Sequence, residues 1–131
     1  MTPEVHVSAA VVVAEGRTLV VRKRGAAVFQ QPGGKPDAGE SALDAVVREV
    51  VEETGIVADP ARFIALGRFT DAAANEPDHT VVADAFLLRL ESTAAVAGAE
   101  IAELRWIRHD EMTDTPLAPL SRNHLLRLAW A

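Results

Sequence analysis

The stretch "GGKPDAGESALDAVVREVVEETGI", Gly33 to Ile56, decides how the rest of the chain is read. It joins a loop of glycine and proline to a segment with helical periodicity. Ser41 stands where a helix start needs a side-chain acceptor, and Ser-Ala-Leu-Asp fits a capping-box pattern. The spacing predicts a helix that ends near Thr54, with Gly55 suited to the C-terminal cap. On that helix Leu43, Val46, Val47, Val50 and Val51 form an apolar stripe. Glu49, Glu52 and Glu53 crowd a separate face. Like charges three and four residues apart repel, by roughly 0.2–0.5 kcal/mol per pair on an exposed helix.

A solvated acidic face is the ordinary account of such a charge run. Three features weigh against it. No lysine lies within the helix, and Arg48, four residues before Glu52, is the base at hand to pair with it. The carboxylates are compact rather than interleaved with bases. The loop before them is rich in glycine, which lets backbone groups approach a ligand closely. Hard divalent cations take oxygen ligands, usually a few carboxylates with waters and substrate phosphates. The residues therefore favour a metal site over a bland surface.

The whole chain limits the alternatives. Its 131 residues suit one domain, residues 1–131. Nearly half are apolar, enough for a core, and the net charge of −6 leaves no basic footprint for duplex nucleic acid. The absence of cysteine excludes disulfides, thiolate chemistry and cysteine–zinc sites. No apolar run approaches the ~20 residues of a membrane span. "MTPEVHV" lacks the basic start and apolar stretch of a signal peptide. The expectation is a soluble cytoplasmic protein with no membrane partner.

Working outward, "VHVSAAVVVAE" (Val5–Glu15) and "TLVVRKR" (Thr18–Arg24) read as a hairpin of two strands. "GAAVFQQPGGKPDAG" is loop chemistry. Arg62–Ala73 and His79–Glu91 read as strands around the loop "ANEPDH". "TAAVAGAE" is a small-residue linker without evident structure. Glu103–His109 reads as a short strand and Ser121–Trp130 as a final helix. His109-Asp110-Glu111 reads as the start of a turn or short helix. Strands, helix, strands and helix in that order predict an α/β (α+β) domain with a mixed sheet packed between helices.

The helix and its loop can now be set beside a known pattern. Gly34, Glu40, Arg48, Glu49, Val50, Glu52, Glu53, Gly55 and Ile56 stand at the spacing of the Nudix box, which this stretch resembles at every defined position. Strands before and after the box resemble a minimal Nudix domain over most of the chain. The resemblance implies an α/β/α sandwich whose mixed sheet lies between helices. It implies hydrolysis of a nucleoside diphosphate linked to a group X, assisted by Mg²⁺ or Mn²⁺. A nucleoside triphosphate or an oxidised nucleotide fits this small chain by analogy only. The partner is then a small nucleotide-type molecule, and a homodimer is compatible with the reading.

By that resemblance Glu49 and Glu53 are the best metal ligands. Glu52 is a third, direct or through water, and the Gly34 carbonyl is a fourth. The metals would screen the pyrophosphate, orient a phosphorus for attack and acidify a water. Arg48 pairs with a box carboxylate and fixes its direction, or it is a surface partner worth little. Glu40 is supportive. The base is either a box glutamate or a carboxylate on a later loop. Glu100 stands where some relatives carry such a glutamate; Glu100 and Glu103 read equally as ordinary surface acids.

Substrate contacts are open between two readings at several positions. Phe29 either stacks on a base or plugs the core. Gln31 replaces the apolar residue that usually precedes Pro-Gly-Gly, so its amide is a candidate to face the ligand. Asp84 breaks an apolar strand face shared by Val82, Phe86 and Leu88, and so faces a cavity or interrupts the strand. Arg22, Lys23 and Arg24 end a strand near the box, with Arg24 a candidate for phosphate. Asn75 and Glu76 lie in a loop near the site. Thr70 and Asp71 stand where a proline would mark ADP-ribose hydrolysis and a tyrosine dinucleoside polyphosphates. A non-catalytic Nudix-like module that binds a nucleotide is the alternative, but such modules tend to lose box carboxylates. A mere metal buffer leaves the spacing of Gly34, Glu40 and Gly55 unexplained. Four scattered histidines and the lack of G-x-S-x-G give no support to serine-hydrolase chemistry.

Overall fold

The computed structural model describes residues 2–130. Strand β1 (Glu4–Ala14) is buried from Ser8 onward and apolar from Ala9 onward, because both of its faces are covered there. Ala9, Val11 and Val13 point to one face, with Ala83, Ala85, Leu87 and Leu125. Ala10 and Val12 point to the other, with Val46, Val50, Phe86 and Leu88. The sheet is therefore a middle layer, with the acidic helix on one side and the C-terminal helical segment on the other.

Strand β2 (Arg17–Lys23) turns back antiparallel on β1, as the hairpin reading requires. A two-residue strand β3 (Gly33–Gly34) pairs with β1 inside the segment read as loop. Helix α1 (Ala42–Thr54) follows, then β4 (Ile64–Ala72), β5 (Thr80–Arg89) and β6 (Ile101–Ile107). The order is β4-β5-β1-β2-β6, with β3 beside β1. The β1–β5 pair is parallel and the others antiparallel, so the sheet is mixed. A π-helical turn, Ser121–Leu125, runs into α2 (Leu126–Ala129). No described helix is long and apolar enough to cross a membrane.

Local chemistry sets the ends of α1. The Ser41 hydroxyl accepts from the Asp44 amide at 3.0 Å, half of the expected capping box. Gly55 takes a left-handed conformation and its N–H returns to the Val51 carbonyl. Val51 departs from the predicted stripe: it is exposed, while Val46 and Val50 are fully buried. The helix turns a narrower face to the sheet than the stripe implied.

The small-residue linker has a structural role that its composition hid. The Val96 amide donates to the Thr54 carbonyl and the Gly98 amide to the Glu53 carbonyl. These are groups that the end of a helix leaves without partners. A Cβ on Gly98 would stand 1.9 Å from the Glu52 carbonyl oxygen, so only glycine lets the linker lie this close. His109–Glu111 forms a short 3₁₀ turn, as read.

Candidate active site

The carboxylates of α1 do not share one environment. Glu53 is buried and Glu49 nearly so, with side chains 7% and 14% exposed, whereas Glu52 is 57% exposed. The helix turns Glu53 inward against β3, where its Oε1 accepts from the Gly33 amide at 3.0 Å. Its other oxygen lies 3.9 Å from the Lys23 ammonium. Burial pushes the Glu53 carboxyl up to about 7, against the pull of the Gly33 amide and Lys23. Burial also raises Glu49, helped by the neighbouring Glu52 and opposed by Arg48.

Gly34 gives Glu49 its room. A Cβ there would stand 2.1 Å from Glu49 Oε2, closer than any side chain tolerates. The loop backbone and the helical carboxylate are therefore in direct apposition.

Arg48 reaches further than its i+4 partner. Its Nε and Nη2 bond both oxygens of Glu40 at 2.9 and 2.8 Å. Its Nη1 bonds Glu49 at 2.5 Å and approaches Glu52 at 3.3 Å. Its Nη2 also reaches the Lys35 carbonyl at 3.3 Å. The two-point pair holds Glu40 down at about 2, chiefly through the Arg48 hydrogen bonds. One guanidinium thus ties the loop to the helix and orients Glu49. No three acidic or imidazole side chains among the described residues converge closely enough to enclose a metal ion as they stand. The guanidinium lies across Glu49 and Glu52 instead.

A cleft of about 300 Å³ opens beside these groups. Its lining includes Glu49, Gly33, Gly34, Lys23 and Lys35, with Asn75 and Glu76 contributed by the β4–β5 loop. The Lys35 ammonium and a Glu76 oxygen face each other at 3.9 Å. Gln31 also lines the cleft.

Other candidates lie elsewhere. Phe29 is 2% exposed and packs in the core with Val20, Ile107, Leu117 and Leu126, so it offers no face to a ligand. The Arg105 guanidinium covers its ring at 4.5 Å. Arg24 does not reach the cleft; its Nε donates to the Ala99 carbonyl at 2.9 Å and pins the loop before β6. Lys23, one residue earlier, holds the place beside Glu53. Asp84 faces no cavity: it accepts two bonds from Arg68, at 2.9 and 3.3 Å, across the β4–β5 pair. Glu100 is exposed, yet near enough for its charge to raise Glu53. Glu103 is tied to Arg105 and Arg22.

Sequence reasoning did not single out Ser8 and Ser121, which also line the cleft. Ser8 is the lone polar residue among the inner positions of β1, and that interruption was the available signal. Ser121 opens the π-helical turn and carries no local mark.

The NUDIX domain model matches residues 3–128. The phosphatase NudJ of Escherichia coli K12 is 35% identical over 113 residues, 82% of this chain and 71% of that protein. The MutT protein of Methanosarcina mazei superposes with a TM-score of 0.77 at 23% identity, over 96% of this chain and 93% of the other. A MutT Nudix hydrolase of Burkholderia pseudomallei superposes at 0.71 with 26% identity, over 97% and 95%. The Nudix domain of Shewanella oneidensis NrtR, solved with ADP-ribose, matches the fold at 0.77 and 18% identity, over 98% and 86%.

Proposed function

This chain belongs to the Nudix hydrolase family, and from that premise we propose that it cleaves the diphosphate of a nucleoside diphosphate joined to a group X, with Mg²⁺ or Mn²⁺. One arrangement carries the reading: Glu49 and Glu53 stand one turn apart against the Gly33-Gly34 backbone, and Glu49 with both glycines lines the cleft.

The donor set fits a hard cation. It consists of oxygen atoms alone: Glu49, Glu53, the more exposed Glu52 and the Gly34 carbonyl. A buried carboxyl raised to about 7 lacks a full compensating charge, and a divalent cation is a charge of the right sign to provide it. Such a cation bound here supplies charge screening for the diphosphate and a lower pKa for an attacking water.

The chain's own residues do the rest. The Gly33 amide fixes one Glu53 oxygen and leaves the other directed toward Lys23. Arg48 holds Glu49 and Glu40 and so positions rather than reacts. Lys23 and Lys35 place positive charge at the cleft, suited to phosphate oxygens. Glu52 or Glu49 takes a proton from the water, with Glu100 the candidate outside the helix. Residues 1–131 act in this reading as one cytoplasmic domain that binds a small nucleotide-type molecule, alone or as a homodimer.

The test is a screen of nucleoside triphosphates, diphosphates and diphosphate-linked sugars with Mg²⁺, with released products identified. Nucleotide or phosphate release on at least one substrate, abolished by chelation, is the expected result. Tight nucleotide binding with no release above the metal-free control would leave the binding-module alternative standing.

A further inference from the structure

Two polar side-chain atoms in the lining residues of the cleft have no hydrogen-bond partner among the described residues: Ser8 Oγ and Gln31 Nε2. Ser8 is fully buried and Gln31 is 4% exposed. Protein interiors leave few such atoms unpaired, because a donor removed from water without a partner is costly. Gln31 is not free to swing out. The Ser121 hydroxyl donates to its Oε1 at 2.6 Å and anchors the amide from the C-terminal helical segment. A half-turn of the amide exchanges nitrogen for oxygen and still leaves one end unpaired.

The surroundings define what would pair with it. Val5, Val7, Ala9, Val81, Leu120 and Leu125 give the cleft an aliphatic wall. Of its charged lining residues, Lys35 pairs with Glu76, Lys23 faces Glu53, and Glu49 is held by Arg48. The well-buried polar lining is neutral: Ser8, Gln31 and Ser121. No aromatic side chain lines the cleft among the described residues, so a large ring gains no stacking platform. The volume of about 300 Å³ lies at the small end for ligand pockets and must also admit phosphates.

We propose that Gln31, oriented by Ser121 and assisted by Ser8, selects a pyrimidine base by donating to its ring carbonyl oxygen, and that purines are disfavoured. This selection rests on the hydrolase reading above for the place of the diphosphate, and names the nucleoside attached to it. Uracil and cytosine both carry the carbonyl next to the glycosidic nitrogen. Adenine has no carbonyl, and guanine has one on a larger ring system.

Calorimetric titration of UDP, CDP, ADP and GDP with Mg²⁺, on the wild type, Gln31→Leu and Ser121→Ala, tests this. The wild type should bind UDP and CDP at least about tenfold more tightly than ADP and GDP. Gln31→Leu preserves approximate size, and leucine matches the apolar residue usual before Pro-Gly-Gly. It should bring all four affinities within about twofold, chiefly by weakening the pyrimidines. Ser121→Ala should act in the same direction with smaller effect, and serves if the first variant does not fold. Equal affinities in the wild type, absence of binding by all four, or discrimination that survives both substitutions would overturn the proposal. Turnover of UTP and ATP is measured on the same samples. Discrimination in binding without any turnover would refute hydrolysis alone, and turnover without discrimination would refute base selection alone.

Discussion

The carboxylate of Glu53, buried near the end of α1, accepts a hydrogen bond at 3.0 Å from the amide of Gly33, twenty residues earlier in the chain. This bond fastens the helix to β3 and places a titratable group where water is scarce. Its proton affinity has a direct thermodynamic consequence. A carboxyl raised from 4.5 to about 7 holds its proton in the folded state after the unfolded chain has released it. Between those values the folded state binds more protons, so stability falls as pH rises through the window. At ~1.4 kcal/mol for each pH unit that the window spans, the metal-free protein should lose up to about 3 kcal/mol from this group. Thermal unfolding at pH 5 and pH 8 should show the decrease, and Glu53→Gln should flatten it. An equal slope in the variant would remove Glu53 as its source.

Divalent binding should weaken strongly in the same variant, because the amide keeps the shape and removes the charge. Isothermal titration or Mn²⁺ relaxation measures it directly. Unchanged affinity would mean that the metal, if bound at all, sits elsewhere.

Arg48→Ala should lower kcat more than it lowers the thermal midpoint. Glu40 and Glu49 lose the common guanidinium that orients them, while the core beneath is untouched. Arg48→Lys should recover only part of the rate, since an ammonium lacks the two-point geometry that Glu40 accepts. Full activity in the alanine variant would reduce Arg48 to a surface partner.

Glu49→Gln or Glu52→Gln should cost at least about a hundredfold in kcat, roughly 2.7 kcal/mol of transition-state stabilisation. Glu100→Gln should cost as much if Glu100 is the base, and stay near neutral if a helical glutamate is. Rates for the three variants on one substrate at saturating Mg²⁺ separate these cases. Near wild-type rates for both helical variants would show that the acidic face is not the catalytic centre.

Gly34→Ala examines the apposition of loop and helix. The added methyl meets the movable end of Glu49, 2.1 Å away, rather than backbone. The fold should therefore survive with a stability loss of about 1 kcal/mol. The Glu49 carboxylate must move off, and kcat should drop at least about tenfold. A variant as active as the wild type would show that Glu49 need not stand there.

Much of this architecture is legible along the chain because it depends on local chemistry. Ser41 and Gly55 bound a helix through caps that involve residues within a few positions of each. The spacing of Glu49, Glu52 and Glu53 follows from helical geometry alone, and the β-branched runs declare strands by period. Packing decided what that spacing left open. Whether Glu53 is buried and Glu52 solvated depends on which turn of α1 meets β3, a contact between residues twenty apart. Phe29 enters the core, and Arg24 grips Ala99, because distant strands pack over the first and the loop before β6 reaches the second. Gln31 stands out along the chain as a polar residue before Pro-Gly-Gly, but only the fold brings Ser121, ninety residues away, to hold its amide. The sequence by itself determined the elements and the acidic constellation; tertiary structure alone decided which polar groups lose water, because burial is set by whatever the folded chain brings alongside.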